Sequence, residues 1–88
     1  MTNSQMREAI LLALKSGDPF PGFAAKDLFP ELIVSPEIAE HFGECVYQLR
    51  RDGLIRATDN DGDPEDPSFM DVELTLTGRA MVEALSRR

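Results

Sequence analysis

Apolar residues recur at helical spacing near the start of the chain. Over residues 4–16 they form one stripe, at Met6, Ile10, Leu11, Leu12, Ala13 and Leu14. The spacing matches the 3.6-residue helical repeat and predicts a first helix, which Gly17 ends. Two prolines and a glycine within 18–22 cannot continue a helix, so they predict a bend that Phe20 and Phe23 anchor in the core.

Two further helices are predicted in the middle of the chain. A short second helix covers 23–29, and Pro30 ends it. The third helix has a favourable start, because Ser35 can act as N-cap and Pro36 suits the first helical position. The carboxylate of Glu37 would then lie near the positive end of the helix dipole.

The third helix is predicted to run to about Asp52, with Gly53 as its C-terminal glycine. Its core face contains Ile38, Ala39, Phe42, Cys45, Val46 and Leu49. A glycine inside a helix costs about 1 kcal/mol relative to alanine. We therefore expect Gly43 to mark a close helix–helix contact.

Alternation of apolar and polar residues predicts two strands after the third helix. Residues 54–58 form the first strand. In the second strand the inward positions alternate with polar ones and are Met70, Val72, Leu74 and Leu76. The strands would pair antiparallel across a long loop at about 58–71. Thr75 or Thr77 then caps a final helix, whose apolar residues are Ala80, Met81, Ala84 and Leu85.

The elements predict one domain over residues 1–88, mainly α-helical with a small antiparallel β-hairpin. A chain of this length buries a limited core, so we expect marginal stability. The chain contains no apolar run of about 18 residues and does not start like a signal peptide. Its one cysteine, Cys45, cannot form an internal disulfide. These features favour a cytoplasmic protein with no membrane contact.

Two segments carry a resemblance to a known superfamily. Residues 49–55, Leu-Arg-Arg-Asp-Gly-Leu-Ile, resemble the exit from the recognition helix of winged helix-turn-helix regulators. Residues 74–79, Leu-Thr-Leu-Thr-Gly-Arg, resemble the turn that follows the wing in MarR-like and PadR-like members. The resemblance implies a winged helix with the order helix, helix, helix, strand, strand, helix. It identifies a scaffold, and a scaffold does not fix a function.

The chain departs from that superfamily in two places. The connection at 30–34 is longer than a tight helix-turn-helix bend, and the wing loop is long and acidic. The formal net charge is −7, and no lysine or arginine lies between Arg56 and Arg79. The acids concentrated in that stretch are Asp59, Asp61, Asp63, Glu65, Asp66 and Asp71. A negative field of this kind repels phosphate and attracts basic surfaces.

The outward face of the third helix is also acidic. Opposite its core face lie Glu37, Glu40, Glu44 and Tyr47. Base-reading helices normally present arginine, lysine, asparagine or glutamine instead. The residues that suit nucleic acid lie towards the C-terminal end of the helix and the start of the wing, at Gln48, Arg50, Arg51 and Arg56. A merely solvated face remains an equal alternative to any functional interpretation.

Candidate chemical sites in the sequence are weak. Asp59, Asp61 and Asp63 alternate, but the positions that an EF-hand needs as glycine and glutamate are occupied by other residues. His41 and Cys45 are one turn apart, and two ligands do not make a structural zinc site. No nucleophile elbow, phosphate-binding glycine loop or dinucleotide fingerprint occurs. We expect no enzymatic activity, no metal and no cofactor.

The leading hypothesis is a non-catalytic winged-helix regulatory module that acts mainly by protein–protein contact with a basic partner. Its predicted contact residues are Glu37, Glu40, Glu44, Asp59, Asp61, Asp63, Glu65 and Asp66. The alternative is a DNA-binding transcriptional regulator that uses Gln48, Arg50, Arg51 and Arg56. The wide apolar stripe of the first helix leaves two possibilities open: a homodimer through the first and last helices, or a cover for a small core.

Overall fold

The computed structural model describes residues 2–15, 22–31, 33–59 and 67–87. Within these residues four helices pack with a three-stranded antiparallel sheet. The elements are α1 (Asn3–Ala13), β1 (Phe23–Ala24), α2 (Ala25–Leu28), α3 (Pro36–Arg51), β2 (Ile55–Asp59), β3 (Ser68–Leu74) and α4 (Leu76–Ser86). The mixture of helices and a small sheet agrees in outline with the predicted fold class.

The N-terminal helix α1 begins with a reciprocal cap. The Thr2 hydroxyl accepts a hydrogen bond from the Gln5 backbone N–H at 3.1 Å, and the Gln5 side chain accepts from the Thr2 N–H at 2.8 Å. Such a capping box satisfies two open N–H groups. The helix ends at Ala13, before the predicted end at residue 16, and the expected Phe20 anchor lies outside the described residues.

The prediction of one helix over 23–29 is wrong in its first turn. Phe23 and Ala24 instead form β1 and pair antiparallel with β3, where Phe23 lies opposite Phe69. The Asp27 carboxylate accepts a hydrogen bond from the Ala24 N–H at 2.8 Å, so the helical turns begin only at Ala25. A strand of two residues carries no periodicity, and the sequence therefore gave no sign of it.

The predicted α3 is confirmed at both ends. The Ser35 hydroxyl accepts from the Ile38 N–H at 3.2 Å, and Pro36 occupies the first turn. The helix ends at Arg51, and Gly53 has φ 77°, a conformation that favours glycine. Fully buried residues of its core face are Ala39, Phe42, Cys45, Val46 and Leu49.

The alternation predicted for β3 is interrupted by a β-bulge. Arg56 pairs with Glu73 and Thr58 with Met70, so two residues of β3 lie opposite one residue of β2. Asp71, at the bulge, has φ 53°. The bulge changes which residues of the strand point inward: Phe69 is buried, whereas Met70 is 37% exposed. Predicting Met70 as an inward residue was therefore wrong, and Val72 and Leu74 are buried as expected.

Three phenylalanines join the sheet to α3. The ring centroids of Phe23 and Phe42 are 5.3 Å apart in an edge-to-face arrangement, and those of Phe42 and Phe69 are 6.1 Å apart. Aromatic pairs in such geometry contribute about 0.5–1.5 kcal/mol beyond the area that they bury. Phe42 thus connects the edge strand β1 and the central strand β3 to the helical layer.

Helix α4 is seated on the junction between α3 and β2. The Thr75 hydroxyl caps α4 by accepting from the Gly78 N–H at 3.1 Å, and it donates to the Gly53 carbonyl at 2.6 Å. The Thr75 N–H donates to the Leu54 carbonyl at 3.0 Å. Leu76, predicted as an inward strand residue, instead opens α4 and is exposed, because the strand ends at Leu74. None of the helices in the described ranges is long and apolar enough to cross a membrane.

Candidate interaction surface

The three glutamates predicted on the outward face of α3 are exposed. Glu37, Glu40 and Glu44 all lie on the side opposite the buried stripe. Their one-turn spacing places Glu40 and Glu44 next to each other along the helix surface. Like charges in this arrangement destabilise a helix slightly, so the pair of Glu40 and Glu44 is not explained by the stability of α3 itself.

One flank of α3 faces the wing. A Cβ atom added to Gly43 would lie 3.0 Å from the Pro67 Cγ atom and 3.2 Å from its Cβ atom. The expected close contact at Gly43 therefore exists, but its partner is the residue just before β3 and not another helix. Glycine at this position leaves room for Pro67, which leads into β3, to lie on α3.

The start of the wing loop is also attached to α3. Arg50 donates to the Asp59 carboxylate at 2.9 Å and to the Ala57 carbonyl at 3.2 Å. Asp59 is the last residue of β2, and Pro67 is the first described residue after the loop. Asp59 and Pro67, the described residues on either side of 60–66, therefore both lie against α3. The remaining predicted wing acids, Asp61, Asp63, Glu65 and Asp66, lie outside the described residues.

Tyr47 lies between these two attachments on the same side of α3. Its ring contacts Phe69 edge-on, with centroids 5.5 Å apart and planes at 84°. The Arg50 guanidinium carbon lies 5.0 Å from the Tyr47 ring centroid. The tyrosine is nevertheless 45% exposed. The sequence placed Tyr47 on the outward face of α3, but it could not show that a wing phenylalanine supports the ring.

The opposite flank of α3 faces the start of α1. The Gln48 side-chain oxygen accepts hydrogen bonds from the Asn3 amide at 3.0 Å and, more weakly, from Arg7 at 3.5 Å. Arg7 also forms an ion pair with Asp52 at 2.8 Å. Gln48 is therefore engaged with α1 in this structure, although it was predicted as a residue that suits nucleic acid.

The predicted cationic residues are paired with acids to different degrees. Arg50 contacts Asp59 as described, and Arg56 lies 3.5 Å from Glu73 on the neighbouring strand. Arg51 is 78% exposed and has only a long contact of 3.9 Å with Asp52. Exposed ion pairs contribute about 0–1 kcal/mol each, so they do not lock these side chains. They do reduce the positive charge that this part of the surface presents.

His41 and Cys45 meet at one oxygen atom. The His41 Nε2 atom lies 3.3 Å from the Asn3 Oδ1 atom, and the Cys45 thiol donates to the same oxygen at 3.1 Å. Burial raises the pKa of the Cys45 thiol, an effect that nearby Arg7 partly offsets. A buried, neutral thiol is a poor metal ligand and a poor nucleophile. Within the described part of the chain, no three His, Cys, Asp or Glu side chains cluster as metal ligands would.

A groove of about 270 Å³ lies between the first and last helices. Its lining residues are Ser4, Arg7, Glu8, Leu11, Met81 and Leu85. Of the two leucines that widen the apolar stripe of α1, Leu11 is buried, whereas Leu12 is 42% exposed. Met81 on α4 is exposed to the same degree. The stripe therefore serves the core in part and leaves apolar side chains at the surface.

Comparison with protein-family models, with curated proteins and with solved structures found no match for this chain. The winged-helix resemblance accordingly stays a prediction. The described side chains form an exposed acidic face on α3, with cations that are largely paired and a supported tyrosine between them.

Proposed function

We propose that this chain is a non-catalytic regulatory module of the winged-helix type that acts mainly through protein–protein contact. The order of elements supports this proposal, since α3 is followed by the β2–β3 hairpin and then by α4. The Thr75 cap and the tight seat of Gly78 on Leu54 give physical roles to the residues that carry the resemblance.

The proposal of protein–protein contact rests on the contrast in charge along α3. Glu37, Glu40 and Glu44 are exposed, whereas Arg50 is paired with Asp59. A duplex presents about one negative charge per 1.7 Å of its axis, so three exposed carboxylates oppose its approach. The same carboxylates favour encounter with a basic protein surface and increase its rate of association.

The proposed surface extends into the wing. Asp59 belongs to it because Arg50 attaches this residue to α3. The other acids of the loop are included on the basis of sequence alone, and they are Asp61, Asp63, Glu65 and Asp66. Their charge adds to that of α3 if the partner approaches from the wing side. The partner is therefore expected to be rich in lysine and arginine.

DNA binding is the second candidate, and Arg51 favours it. This residue is 78% exposed near the C-terminal end of α3, next to Arg50. Arg50 and Arg56 would have to exchange their acidic partners for phosphates, at a cost of about 0–1 kcal/mol for each exposed pair. Gln48 would also have to leave its contacts with α1.

A titration with mixed-sequence duplex DNA at low salt separates the two candidates. Counterion release makes any phosphate-contacting protein bind under these conditions and weaken steeply as salt rises. We expect no saturable binding. Salt-sensitive binding that Arg50→Ala and Arg51→Ala abolish would contradict the leading proposal and establish the second candidate. The matched control is Arg79→Ala, which removes one exposed arginine on α4.

A second titration tests the acidic surface directly. A capped octa-lysine peptide serves as the basic probe, and amide chemical shifts of labelled protein report where it binds. We expect saturable shifts on the outward face of α3. Affinity should fall when the five wing acids Asp59, Asp61, Asp63, Glu65 and Asp66 become asparagine or glutamine. Equal affinity of this variant and the wild type would remove the wing from the proposed surface.

A further inference from the structure

The ring of Tyr47 is exposed and is also held in place by its neighbours. It is 45% exposed, and it is the one large exposed apolar residue that the described part of α3 carries. We propose that Tyr47 is the central contact of the acidic surface, and that it receives a lysine or arginine side chain from a basic segment of a partner protein. This inference rests on the function proposed above.

Two contacts fix the ring before any partner arrives. The Phe69 ring packs against it in an edge-to-face arrangement at a centroid distance of 5.5 Å, and the Arg50 guanidinium carbon lies over the ring, 5.0 Å from its centre. A tyrosine has few rotatable bonds, and these contacts restrict them further. Binding therefore loses little side-chain entropy at this position. Residues that dominate protein interfaces are commonly tyrosines in such central, supported positions.

The carboxylates around Tyr47 select the chemistry of the partner. Glu44 lies one turn before Tyr47 and Glu40 two turns before it, so all three share the outward face of α3. Both glutamates are exposed. They would place negative charge on the N-terminal side of an incoming side chain.

Arg50 does not cancel this charge. Its guanidinium forms the 2.9 Å ion pair with Asp59, so the positive charge nearest the ring is already offset by an acid. Arg51, one turn after Tyr47, is the other cation beside the ring, and the exposed Glu40 and Glu44 outnumber it.

Lysine and arginine match both parts of this surface. Their methylene stems can cover an apolar ring while the charged end stays among carboxylates and water. A cation near an aromatic face adds about 0.5–1 kcal/mol at exposed sites. Because Arg50 already lies over the Tyr47 ring, the incoming cation would use the part of the ring that Arg50 leaves exposed. An anionic ligand such as nucleic acid gains neither contribution. The arrangement of ring and carboxylates thus fits a basic peptide segment better than a phosphate backbone.

The composition of the chain provides a direct probe of this site. Tyr47 is the single tyrosine, and the chain contains no tryptophan. Intrinsic tyrosine fluorescence therefore reports on this one position. The experiment titrates the full chain with the capped octa-lysine peptide at low salt, and records tyrosine fluorescence together with amide shifts. We expect both signals to saturate at one dissociation constant, with the largest amide shifts at Glu44 and Tyr47.

Substitutions then separate the ring from the charges. We expect Tyr47→Ala to weaken the affinity about fivefold and Tyr47→Phe to change it less than about twofold, because the ring is retained. Glu40→Gln with Glu44→Gln should weaken binding and reduce its dependence on salt. Glu83→Gln on α4 is the control with the same change of charge, and it should bind like the wild type. Circular dichroism verifies that each variant is folded.

The outcomes distinguish the two proposals. If Tyr47→Ala binds like the wild type while the double glutamine variant binds weakly, the role of Tyr47 is overturned and the acidic surface stands. Should Tyr47→Ala fail to fold, amide shifts of the wild type that saturate on α4 and not on α3 overturn the role of Tyr47. If the wild type shows no saturable binding of the peptide, or if duplex DNA shifts the same amides, both proposals fail.

Discussion

Gly78 of α4 lies against the carbonyl oxygen of Leu54, with no space for a side chain between them. The same carbonyl accepts the Thr75 N–H at 3.0 Å. The first turn of α4 is thus docked directly on the backbone that leaves α3. A Cβ atom added to Gly78 would collide with backbone and not with a flexible side chain. The first turn of α4 and the backbone at Leu54 would therefore have to separate.

The first prediction follows from this contact. Gly78→Ala should lower the free energy of unfolding by at least about 2 kcal/mol, even though alanine favours helices. Urea unfolding followed by circular dichroism measures the change. Gly22→Ala is the matched control, since nothing lies within 4 Å of the added atom there, and it should change the stability by less than about 0.5 kcal/mol. Equal stability of the two variants would show that α4 does not dock as described.

The second prediction concerns the contact between Gly43 and Pro67. In a Pro67→Gly background, Gly43→Ala should stabilise the protein by up to about 1 kcal/mol, because both Pro67 side-chain atoms near the new Cβ atom are absent and helix propensity acts alone. In the wild-type background the gain should be smaller, because the new Cβ atom would lie 3.0 Å from Pro67. A double-mutant cycle of unfolding free energies measures the difference. An additive cycle means that the wing does not rest on Gly43.

The third prediction uses the buried thiol. Burial raises the pKa of Cys45 in the folded state above its ordinary value of 9.0. The unfolded thiol therefore ionises first as pH rises, and stability that is fully present below pH 9.0 is lost above it. Relative to Cys45→Ala, the wild type should lose unfolding free energy as pH rises through this range. A difference between the two proteins that does not depend on pH would contradict the assignment.

Reagent access provides an independent check on the same group. Cys45 is fully buried, so a thiol reagent such as Ellman's reagent should label the native protein slowly and the urea-unfolded protein fast. The ratio of the two rates measures the protection. Fast labelling of the native protein would mean that the contact between α1 and α3 opens readily.

The fourth prediction addresses the surface of α1 and α4. Leu12 of α1 is 42% exposed, and Met81, which lines the groove between α1 and α4, is 43% exposed. We expect a homodimer in which this apolar surface is covered, and Leu12→Glu with Met81→Glu should convert it to a monomer. Sedimentation velocity over a range of concentrations measures the mass. A wild type that sediments as a monomer throughout would favour the other alternative, a stripe that only covers the core.

Strong local signals in the sequence made α3 predictable. Ser35, Pro36 and Gly53 define its ends, and each acts through the backbone of its own neighbours. The Thr75 cap of α4 is local in the same way. Such features depend on a few adjacent residues, so a single sequence is enough to find them.

Contacts between distant residues were not predictable in the same way. The strand β1 exists only because Phe23 pairs with Phe69, and two residues show no period. The partner of Gly43 was assigned to a helix, since nothing in the sequence connects it with Pro67. The acidic character of the candidate surface could be predicted from composition. The ion pair between Arg50 and Asp59 weakens the case for DNA binding, and it could be found only from the folded structure.

The bulge in β3 has a consequence that reaches the surface. Asp71 adopts a left-handed conformation that most residues disfavour, and this single backbone rotation decides whether Phe69 or Met70 turns inward. Phe69 turns inward, and its ring packs against Tyr47 in an edge-to-face arrangement. A substitution that straightened the strand, such as Asp71→Val, would withdraw that support without touching α3. The pairing register of the hairpin therefore determines the shape of the surface that a partner would contact.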